Sequence, residues 1–281
     1  MCVLRFISVY GRVLNDEEIG FTGPYVRAFF LQVVSEIDEK LAGKLHSPEG
    51  FAPYAIKPLS VFRGLEKRKK VVYPIGGRLR RGTMVSFGFS LLSKELNDIW
   101  FKVVERLMNL ERIKIGNLEI AVVETSIKTF ELDENFSLGY LVSFRTPTFF
   151  RKMGSSYRNL LPEPRALFMS LARIYNQLNE NGLDLERLYE QFDKEVGVKK
   201  YRLKTVKPID IGKGRKAVGF IGSCLYETRN EELSRLMGEL LRIGEITNVG
   251  GSRTLGFGVI KVKTIERNKA KKRNEIKLAN I

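Results

Sequence analysis

The sequence has little of what disulfide frameworks and metal sites require. It contains two cysteines, Cys2 and Cys224, far apart in the chain, and one histidine. Disulfide-stapled folds use several cysteines and zinc sites use clusters of cysteine and histidine, so neither class fits. No close pair of carboxylates stands near a glycine-rich phosphate loop, which argues against a two-metal nuclease. We therefore expect an intracellular, cytoplasmic protein that uses no metal and no cofactor.

Long hydrophobic runs and a signal peptide are also missing. No apolar stretch reaches the length of about 18 residues that a membrane-spanning helix needs, so we expect no membrane partner. Met1 leads into a strand-like run and then an acidic cluster at residues 16–18, which is not the pattern of a secretory signal. Apolar residues make up 43% of the 281 residues, enough for one large globular domain or two modest ones.

Acidic residues are scarce relative to basic ones. The chain has 48 Lys and Arg against 32 Asp and Glu, a formal net charge of +16. A protein this basic typically holds a polyanion, and a phosphate backbone is the usual one. The alternative is the lysine-rich surface of a thermophile protein, but such surfaces gain Glu together with Lys. The composition therefore indicates nucleic-acid binding.

The hydrophobic periodicity predicts the order β-α-β-β-α-β twice along the chain. In the first half the predicted elements are strand 3–13, helix 25–45, strands 54–63 and 83–92, helix 93–109 and strands within 112–130. In the second half they are strand 137–146, helices 163–179 and 183–195, strands 199–207 and 214–226, helix 231–243 and strand 254–264. This is the ferredoxin-like order. The expected fold class is therefore α+β, with two tandem ferredoxin-like (RRM-like) domains at 1–131 and 136–266, a linker at 132–135, and a basic mobile tail at 267–281.

A glycine-rich segment near the end of the chain is the strongest local signal. Four glycines, Gly250, Gly251, Gly256 and Gly258, fall within nine residues, and Ser252 and Arg253 stand between them. Glycines let backbone N–H groups approach a phosphate closely, and a guanidinium can bind phosphate through two hydrogen bonds. The alternative is a glycine-rich hairpin that packs closely on its neighbour. The spacing by itself does not decide between them.

This segment runs into the last strand as Leu255-Gly256-Phe257-Gly258-Val259-Ile260-Lys261-Val262, which resembles the signature of the repeat-associated RAMP superfamily. Within that superfamily the sequence is most similar to the CRISPR-associated endoribonucleases that process repeat transcripts. The end of the first helix at residues 41–46, the segment 144–148 and the duplicated topology agree with this resemblance, which extends to about residue 265. It implies metal-independent cleavage of CRISPR repeat RNA within precursor transcripts, leaving 5′-OH and 2′,3′-cyclic phosphate ends.

The resemblance also implies candidate catalytic residues. Many relatives place a catalytic histidine just after the first helix, where this chain has His46, and imidazole can act as base or acid near neutral pH. The alternative is a histidine that only caps the helix or lies at the surface. Relatives with a His–Tyr–Lys site place the tyrosine on the same helix and the lysine soon after the histidine; the residues of this chain nearest to those places are Tyr25, at the helix start, and Lys57, the first basic residue after His46. Other relatives use lysine and arginine alone, and Arg27, Lys57 and Arg253 would then stabilise charge around the scissile phosphate.

A dense basic run extends from residue 63 to residue 81. We interpret it as a hairpin or long loop that lies along an RNA backbone, the alternative being a solvated loop. Its proposed RNA-binding members are Lys67, Arg68, Lys69, Lys70, Arg78, Arg80 and Arg81. Arg145 joins this set, and it is followed by Phe149 and Phe150, which could stack on single-stranded bases. We expect both phenylalanines to lie in the core instead.

The leading hypothesis is an endoribonuclease that holds CRISPR repeat RNA across the groove between its two domains. The second is a non-catalytic RNA-binding RAMP subunit of a CRISPR effector complex. The third is a general nucleic-acid-binding protein unconnected with CRISPR. The expected partner is repeat RNA, and the sequence leaves an effector complex and a homodimer open.

Overall fold

The structure, a computed structural model, describes residues 4–46, 50–63, 70–130, 137, 139–151, 154–155, 157–179, 181–212 and 214–265. The predicted linker at 132–135 and the predicted tail at 267–281 lie outside these residues, so the domain boundaries stay predictions. None of the helices in the described part is both long and apolar enough to cross a membrane.

The first half of the chain forms an antiparallel sheet with helices packed on one face. In chain order its elements are β1 Leu4–Val13, β2 Glu17–Ile19, α1 Gly23–Ile37, α2 Glu39–His46, β3 Tyr54–Arg63, β4 Lys70–Val72, β5 Gly77–Leu79, β6 Met84–Leu91, α3 Lys94–Asp98, α4 Trp100–Met108, β7 Arg112–Ile115 and β8 Leu118–Phe130. The sheet order is β4-β3-β6-β1-β8-β7. Alternate residues of β1, such as Ile7 and Val9, are buried in one core with Val26 and Phe30 of α1, as the period of two in strands and 3.6 in helices requires.

The second half repeats this arrangement. Its elements are β9 Gly139–Thr148, β10 Phe150–Arg151, β11 Arg158–Asn159, α5 Pro164–Leu178, α6 Leu185–Glu195, β12 Gly197–Thr205, β13 Ile209–Asp210, β14 Lys216–Ala217, β15 Phe220–Glu227, α7 Glu231–Thr247 and β16 Ile260–Ile265. The main sheet has the order β12-β15-β9-β16. The four main strands of the first half stand in the same relative order, β3-β6-β1-β8. The predicted α+β class with two ferredoxin-like units is therefore confirmed.

Several predicted boundaries are wrong for identifiable reasons. The predicted helix 25–45 is two helices, because Asp38 is extended (φ −152°, ψ 97°) and its carboxylate accepts a hydrogen bond from the backbone N–H of Leu41 at 2.9 Å. The predicted helix 93–109 is likewise divided at Ile99. Helix α7 extends to Thr247, beyond the predicted Ile243, and its last turn is buried. These boundaries depend on local capping and on tertiary packing, which apolar periodicity does not report.

The beginning of the predicted strand 254–264 is also wrong. Residues Arg253–Leu255 form a 3-10 turn, and Gly256 follows with a left-handed φ of 79°. The strand β16 begins only at Ile260. The glycine-rich segment is therefore a folded turn that precedes the strand.

The two halves pack directly on each other through this turn. Phe257 contacts Phe21 of the first half and Phe149 of the second, with ring centroids 5.1 and 5.8 Å apart. The hydroxyl of Ser90 on β6 donates to the carbonyl of Ile246 at 2.6 Å, so the end of α7 is anchored on the first sheet. Full burial of a phenylalanine contributes about 1.5–3 kcal/mol, which makes the turn part of the interface that holds the halves together.

Candidate active site and nucleic-acid interface

The glycines of the turn are required by close packing. A Cβ on Gly250 would overlap the carbonyl of Phe149, one on Gly251 would overlap the Phe149 ring, and one on Gly258 would overlap the carbonyl of Val249. A Cβ on Gly256 would come within 2.7 Å of Pro58. The close-packing alternative therefore explains all four positions. Whether the outer side of the turn also holds phosphate stays a prediction.

Ser252 is one of two non-glycine residues in the described chain with a positive φ, at 57°. This backbone region is disfavoured for residues that carry a Cβ, and it persists where the surrounding structure imposes it. Ser252 borders a large cleft beside the turn. The strained backbone of Ser252 therefore lies on the side of the turn that faces the open cleft.

Arg253 lies within the turn and is largely buried. Its Nη1 donates to the carbonyl of Thr247 at 3.0 Å, and its Nη2 donates to the carbonyl of Ala52 at 3.3 Å. The guanidinium also lies 4.9 Å from the Phe51 ring centroid. Burial lowers the pKa of Arg253 to about 10. The side chain thus ties the turn to the end of α7 and to the segment that follows α2.

His46 is the last residue of α2, and its backbone is held in place by Arg27 of α1. The Nη2 of Arg27 donates to the carbonyl of His46 at 2.6 Å, and its Nε donates to the hydroxyl of Tyr54 at 2.8 Å. The Tyr54 hydroxyl donates to the carbonyl of Leu45 at 3.3 Å. The histidine residue itself is exposed. Two neighbouring carbonyls at the end of α2 are therefore fixed by one arginine and one buried tyrosine.

Tyr54 also connects this cluster with the glycine-rich turn. Burial raises the pKa of its hydroxyl, while the Arg27 guanidinium and a hydrogen bond with the Thr254 side chain act in the opposite direction. Sequence reasoning missed Tyr54 as part of the site. The sequence shows only that Tyr54 begins the strand after His46. A tyrosine in an apolar strand does not by itself indicate a functional role.

Tyr25 lies on another side of α1. A helix turns about 100° per residue, so Tyr25 and Arg27 point about 200° apart. The ring of Tyr25 packs 3.5 Å from the position that a Cβ on Gly116 would occupy, and more than half of the residue is exposed. The structure therefore does not bring Tyr25 toward the carbonyl of His46 that Arg27 holds.

Lys57 is buried between the two halves. Its ammonium donates to the carbonyl of Glu245 at 2.5 Å and to Oδ1 of Asn248 at 2.9 Å. Burial lowers the pKa of Lys57 to about 7. Together with Arg253, it places a second cation at the C-terminal end of α7, where the helix dipole favours positive charge. The structure brings Lys57 to the interface rather than to the exposed surface that carries His46.

The predicted basic run is only partly described. Lys67, Arg68 and Lys69 lie outside the described residues, and so does the side chain of Lys70. Arg78, Arg80 and Arg81 are exposed at the turn around β5, where Arg78 forms a 3.0 Å ion pair with Asp16.

The exposed arginines share a carboxylate neighbour. A hydrogen bond from the Arg81 backbone N–H lowers the pKa of Asp16, and the charges of Arg78 and Arg80 add to this effect. Asp16 therefore stays ionised beside these side chains and offsets part of their positive charge.

Arg145 approaches this region from the second half. It stands on β9, and its Nη2 donates to the carbonyl of Val71 on β4 at 3.5 Å. Nearby, burial raises the pKa of Tyr73 to about 12, against the opposing charge of Arg145. The structure therefore brings Arg145 beside the hairpin that carries the basic run. The neighbouring Phe149 and Phe150 are buried, as predicted.

A cleft of about 1160 Å³ opens beside the glycine-rich turn. It extends from residues 50–52, just after the end of α2, to helix α5 and the β10–β11 pair. The described residues that line it include one acid, Glu163, and five arginines: Arg151, Arg158, Arg165, Arg173 and Arg253. The cleft is therefore strongly positive.

Four of these arginines were missed as site residues. Arg165, Met169 and Arg173 all line the cleft from α5, and their spacing of i, i+4, i+8 puts them on one helix face. That spacing was visible in the sequence, but it also fits ordinary surface charge. Among the residues that the structure describes, no group of three or more His, Cys, Asp and Glu side chains is placed to hold a metal ion.

Comparison with known proteins agrees with this architecture. Residues 142–260 match the sequence model of the CRISPR-associated endoribonuclease Cas6 family. The CRISPR-associated endoribonuclease Cas6 of Mycobacterium tuberculosis is 28% identical over 127 residues, which are 45% of this chain and 39% of that protein. The aligned part of the chain thus spans about two fifths of the length of the curated relatives that it matches.

Solved structures share the fold over most of both chains. A Cas6 product complex matches with a TM-score of 0.71 and 17% identity, covering 92% of this chain and 100% of that one. A RAMP protein binding different RNA substrates matches with a TM-score of 0.58 and 21% identity, covering 92% and 99%. The sequence match over residues 142–260 and the shared fold thus agree with the resemblance read from the glycine-rich segment, and the chain is similar to the Cas6 endoribonucleases in this part of its sequence and in its fold.

Proposed function

We propose that the protein is an endoribonuclease that binds CRISPR repeat RNA within precursor transcripts and cuts it without a metal. One observation carries this proposal: His46 is exposed at a helix end fixed by Arg27, four residues before Gly50, where the arginine-lined cleft begins. A residue able to transfer protons thus lies four positions along the chain from the segment that borders a surface suited to a phosphate backbone. A cytoplasmic location belongs to the same proposal.

The proposed reaction is internal transesterification. A base removes the proton of a ribose 2′-OH, and the oxygen attacks the adjacent phosphorus. The bond from phosphorus to the 5′-oxygen breaks, and that oxygen takes up a proton. The products are a 2′,3′-cyclic phosphate and a 5′-OH. His46 supplies one of the two proton transfers, since an imidazole ring can both accept and donate a proton.

The other candidate residues take different parts in this proposal. Arg27 positions the end of α2 through the carbonyl of His46. Lys57 and Arg253 hold the interface and the glycine-rich turn, because both cations donate to carbonyls at the end of α7. Tyr25 lies on another face of α1, so we assign it no proton transfer. This arrangement favours the histidine over a set made of lysine and arginine alone.

RNA binding is assigned to the surface around these groups. The outer side of the turn at Gly250–Leu255 borders the cleft. Arg78, Arg80 and Arg81 are exposed at and just after β5, and Arg145 on β9 reaches the carbonyl of Val71 on β4. Phosphate contacts of this kind supply most of the affinity for a nucleic-acid backbone. The solved RAMP protein that binds RNA substrates shares the fold, which supports the same role here.

The test is to incubate purified protein with the repeat RNA of its own locus in EDTA. We expect one cut that leaves a 5′-OH and a 2′,3′-cyclic phosphate, and no cut when the ribose before the scissile phosphate is 2′-deoxy. His46→Ala should lower the cleavage rate by about 10²-fold or more, with binding changed less than about twofold.

Other outcomes would assign other functions. Tight, repeat-specific binding without cleavage would indicate a non-catalytic RNA-binding subunit of an effector complex. Equal binding of arbitrary RNA and DNA would indicate a general nucleic-acid-binding protein. Full activity in His46→Ala would show that His46 transfers no proton and would assign the chemistry to Arg27 and the other cations.

A further inference from the structure

The hydroxyl of Tyr54 is shared by three separate parts of the chain. Tyr54 begins β3 and is fully buried. Its hydroxyl accepts a hydrogen bond from Nε of Arg27 on α1 at 2.8 Å and donates to the carbonyl of Leu45 on α2 at 3.3 Å. It also forms a hydrogen bond with the side chain of Thr254 in the glycine-rich turn. One buried oxygen therefore joins both helices of the first half to a turn that belongs to the second half.

These partners occupy the whole hydrogen-bonding capacity of the hydroxyl. A tyrosine hydroxyl has a single proton to donate and lone pairs with which to accept. Its proton goes to the Leu45 carbonyl, so the hydroxyl of Thr254 donates to Tyr54, as Arg27 does. A buried polar group that loses such a partner is left unsatisfied, which is costly. The positions of α1, α2 and the turn are therefore fixed relative to one another at this oxygen.

The turn is packed against the same elements at backbone distance. A Cβ on Gly23, at the start of α1, would overlap the carbonyl of Leu255 in the turn. The Nη2 of Arg253 donates to the carbonyl of Ala52, two residues before Tyr54, at 3.3 Å. Closely packed groups transmit displacements instead of absorbing them. A shift of the turn therefore acts on the start of β3 and on α1.

The Tyr54 hydroxyl acts next to His46. The carbonyl of Leu45, to which it donates, belongs to the peptide bond whose nitrogen is that of His46. Arg27, which donates to the same hydroxyl, also donates to the carbonyl of His46 at 2.6 Å. The peptide groups on both sides of His46 are thus held through Tyr54 and its partner. Misplacing a reacting group by about 1 Å can cost about 10²-fold in rate.

We propose that Tyr54 is a positioning residue, whose hydroxyl holds the His46 end of α2 in register with the glycine-rich turn. This inference rests on the proposed endoribonuclease function, in which His46 transfers a proton and the turn borders the bound RNA. Tyr54 itself transfers no proton to or from RNA, because it is fully buried and its own proton is bound to the Leu45 carbonyl. Burial also raises the pKa of this hydroxyl, which keeps it protonated.

The kinetic test uses Tyr54→Phe, which removes only the hydroxyl. We expect kcat for repeat RNA cleavage to fall about tenfold or more, while KM changes less than about twofold. Tyr140→Phe is the matched control, because Tyr140 is 1% exposed and its hydroxyl donates to the carbonyl of Ser234 at 2.9 Å in the second half. Both variants should unfold at a lower urea concentration, but only Tyr54→Phe should slow cleavage. An equal loss of rate in both would make Tyr54 a stabilising residue only and would overturn the inference.

The pH profile distinguishes a positioning residue from one that transfers a proton. Tyr54→Phe should lower kcat at every pH and leave the shape of the profile unchanged, whereas His46→Ala should remove one of its limbs. A limb that is lost in Tyr54→Phe would make Tyr54 an acid or a base in the reaction, and the positioning role would be wrong.

The link between the turn and His46 can be measured without RNA. His46 is the single histidine of the chain, so its ring gives one set of NMR signals in the untagged protein. Thr254→Val removes the hydroxyl that the turn contributes, and it should shift these signals. The shift should be largely lost when Thr254→Val is made in the Tyr54→Phe variant, because the linking oxygen is then missing. Equal shifts in both backgrounds would show that the turn acts on His46 by another route, which would overturn the inference.

The two measurements separate this inference from the proposed function. Histidine signals that depend on Thr254 only through Tyr54, without any cleavage of repeat RNA by the wild type, would support the link and contradict the endoribonuclease. Cleavage of repeat RNA at the wild-type kcat by Tyr54→Phe would overturn the positioning role and leave the endoribonuclease standing.

Discussion

The ammonium of Lys57 on β3 lies 2.9 Å from Oδ1 of Asn248 at the end of α7, although the two residues are 191 positions apart. Asn248 is fully buried, and its Nδ2 donates to the carbonyl of Ile56 at 2.9 Å. Its backbone has a positive φ of 60°. Two side chains from different halves thus form a polar contact inside the interface, directly before the glycine-rich turn.

The first prediction concerns the pH dependence of stability. Burial lowers the pKa of Lys57 to about 7, below the value of about 10.4 expected in the unfolded chain. Between these values the unfolded state binds more protons than the folded state, so stability rises with pH. Relative to Lys57→Met, wild-type stability should rise by up to about 1.4 kcal/mol per pH unit between about pH 7 and pH 10.

Urea denaturation of both proteins at several pH values measures this difference. The variant serves as the reference, because the other titrating groups contribute equally to both proteins. A stability difference that does not change with pH would show that Lys57 is not a buried, titrating cation.

The second prediction concerns the support of His46. Arg27→Met removes the hydrogen bonds to the His46 carbonyl and to the Tyr54 hydroxyl. We expect a loss of stability of about 1–3 kcal/mol and a fall in the cleavage rate of about tenfold to a hundredfold, since misplacing a reacting group is costly. KM for repeat RNA should change little if Arg27 acts by positioning.

Arg106→Met is the matched control for this substitution. Arg106 forms an exposed ion pair with Glu36 in the same half of the protein, and such pairs contribute about 0–1 kcal/mol. Cleavage by this variant should equal that of the wild type. An equal loss of rate in both variants would mean that Arg27 has no special relation to His46.

The third prediction separates backbone conformation from packing in the glycine-rich turn. Gly258 and Gly154 have nearly equal φ values of 72° and 68°, so alanine costs about 1–2 kcal/mol at either position through the backbone. A Cβ at Gly258 also overlaps the Val249 carbonyl, whereas nothing lies within 4 Å of a Cβ at Gly154. Gly258→Ala should therefore be the more destabilising variant by at least about 2 kcal/mol.

Denaturant unfolding of the two glycine variants measures the difference. Equal destabilisation would show that the turn at Gly258 can move away from Val249 without loss. Close packing would then no longer explain why residue 258 is a glycine. The glycine would instead be needed on the side of the turn that is proposed to face RNA.

The fourth prediction concerns the exposed arginines near β5. If Arg80 and Arg81 each contact one phosphate, the double alanine variant should lower the salt slope of repeat RNA binding by about 1.4. Lys102 and Lys114 are exposed lysines in the same half, and their double alanine variant removes the same charge. A salt slope lowered equally in both variants would show that total charge, rather than contact at Arg80 and Arg81, determines RNA affinity.

Local pattern was sufficient for much of the fold. The β-branched and aromatic residues of segment 3–13 predicted β1, and the periodic apolar residues of segment 231–243 predicted α7, because each element shows its buried face in its own sequence. The glycine-rich segment also led to the Cas6-like resemblance, which the comparisons confirm. His46 was placed correctly at the end of a helix, since its stop signals are local.

The sequence by itself determined the order and kind of the elements, the excess of positive charge and the position of one histidine. Only the tertiary structure decided that Lys57 is buried against Asn248, that the four glycines are sites of close packing, and that arginines from β10, β11 and α5 surround one cleft. The physical reason is that the residues in these contacts are far apart along the chain. Periodicity reports which face of a single element avoids water, whereas these contacts exist only where the two sheets pack on each other.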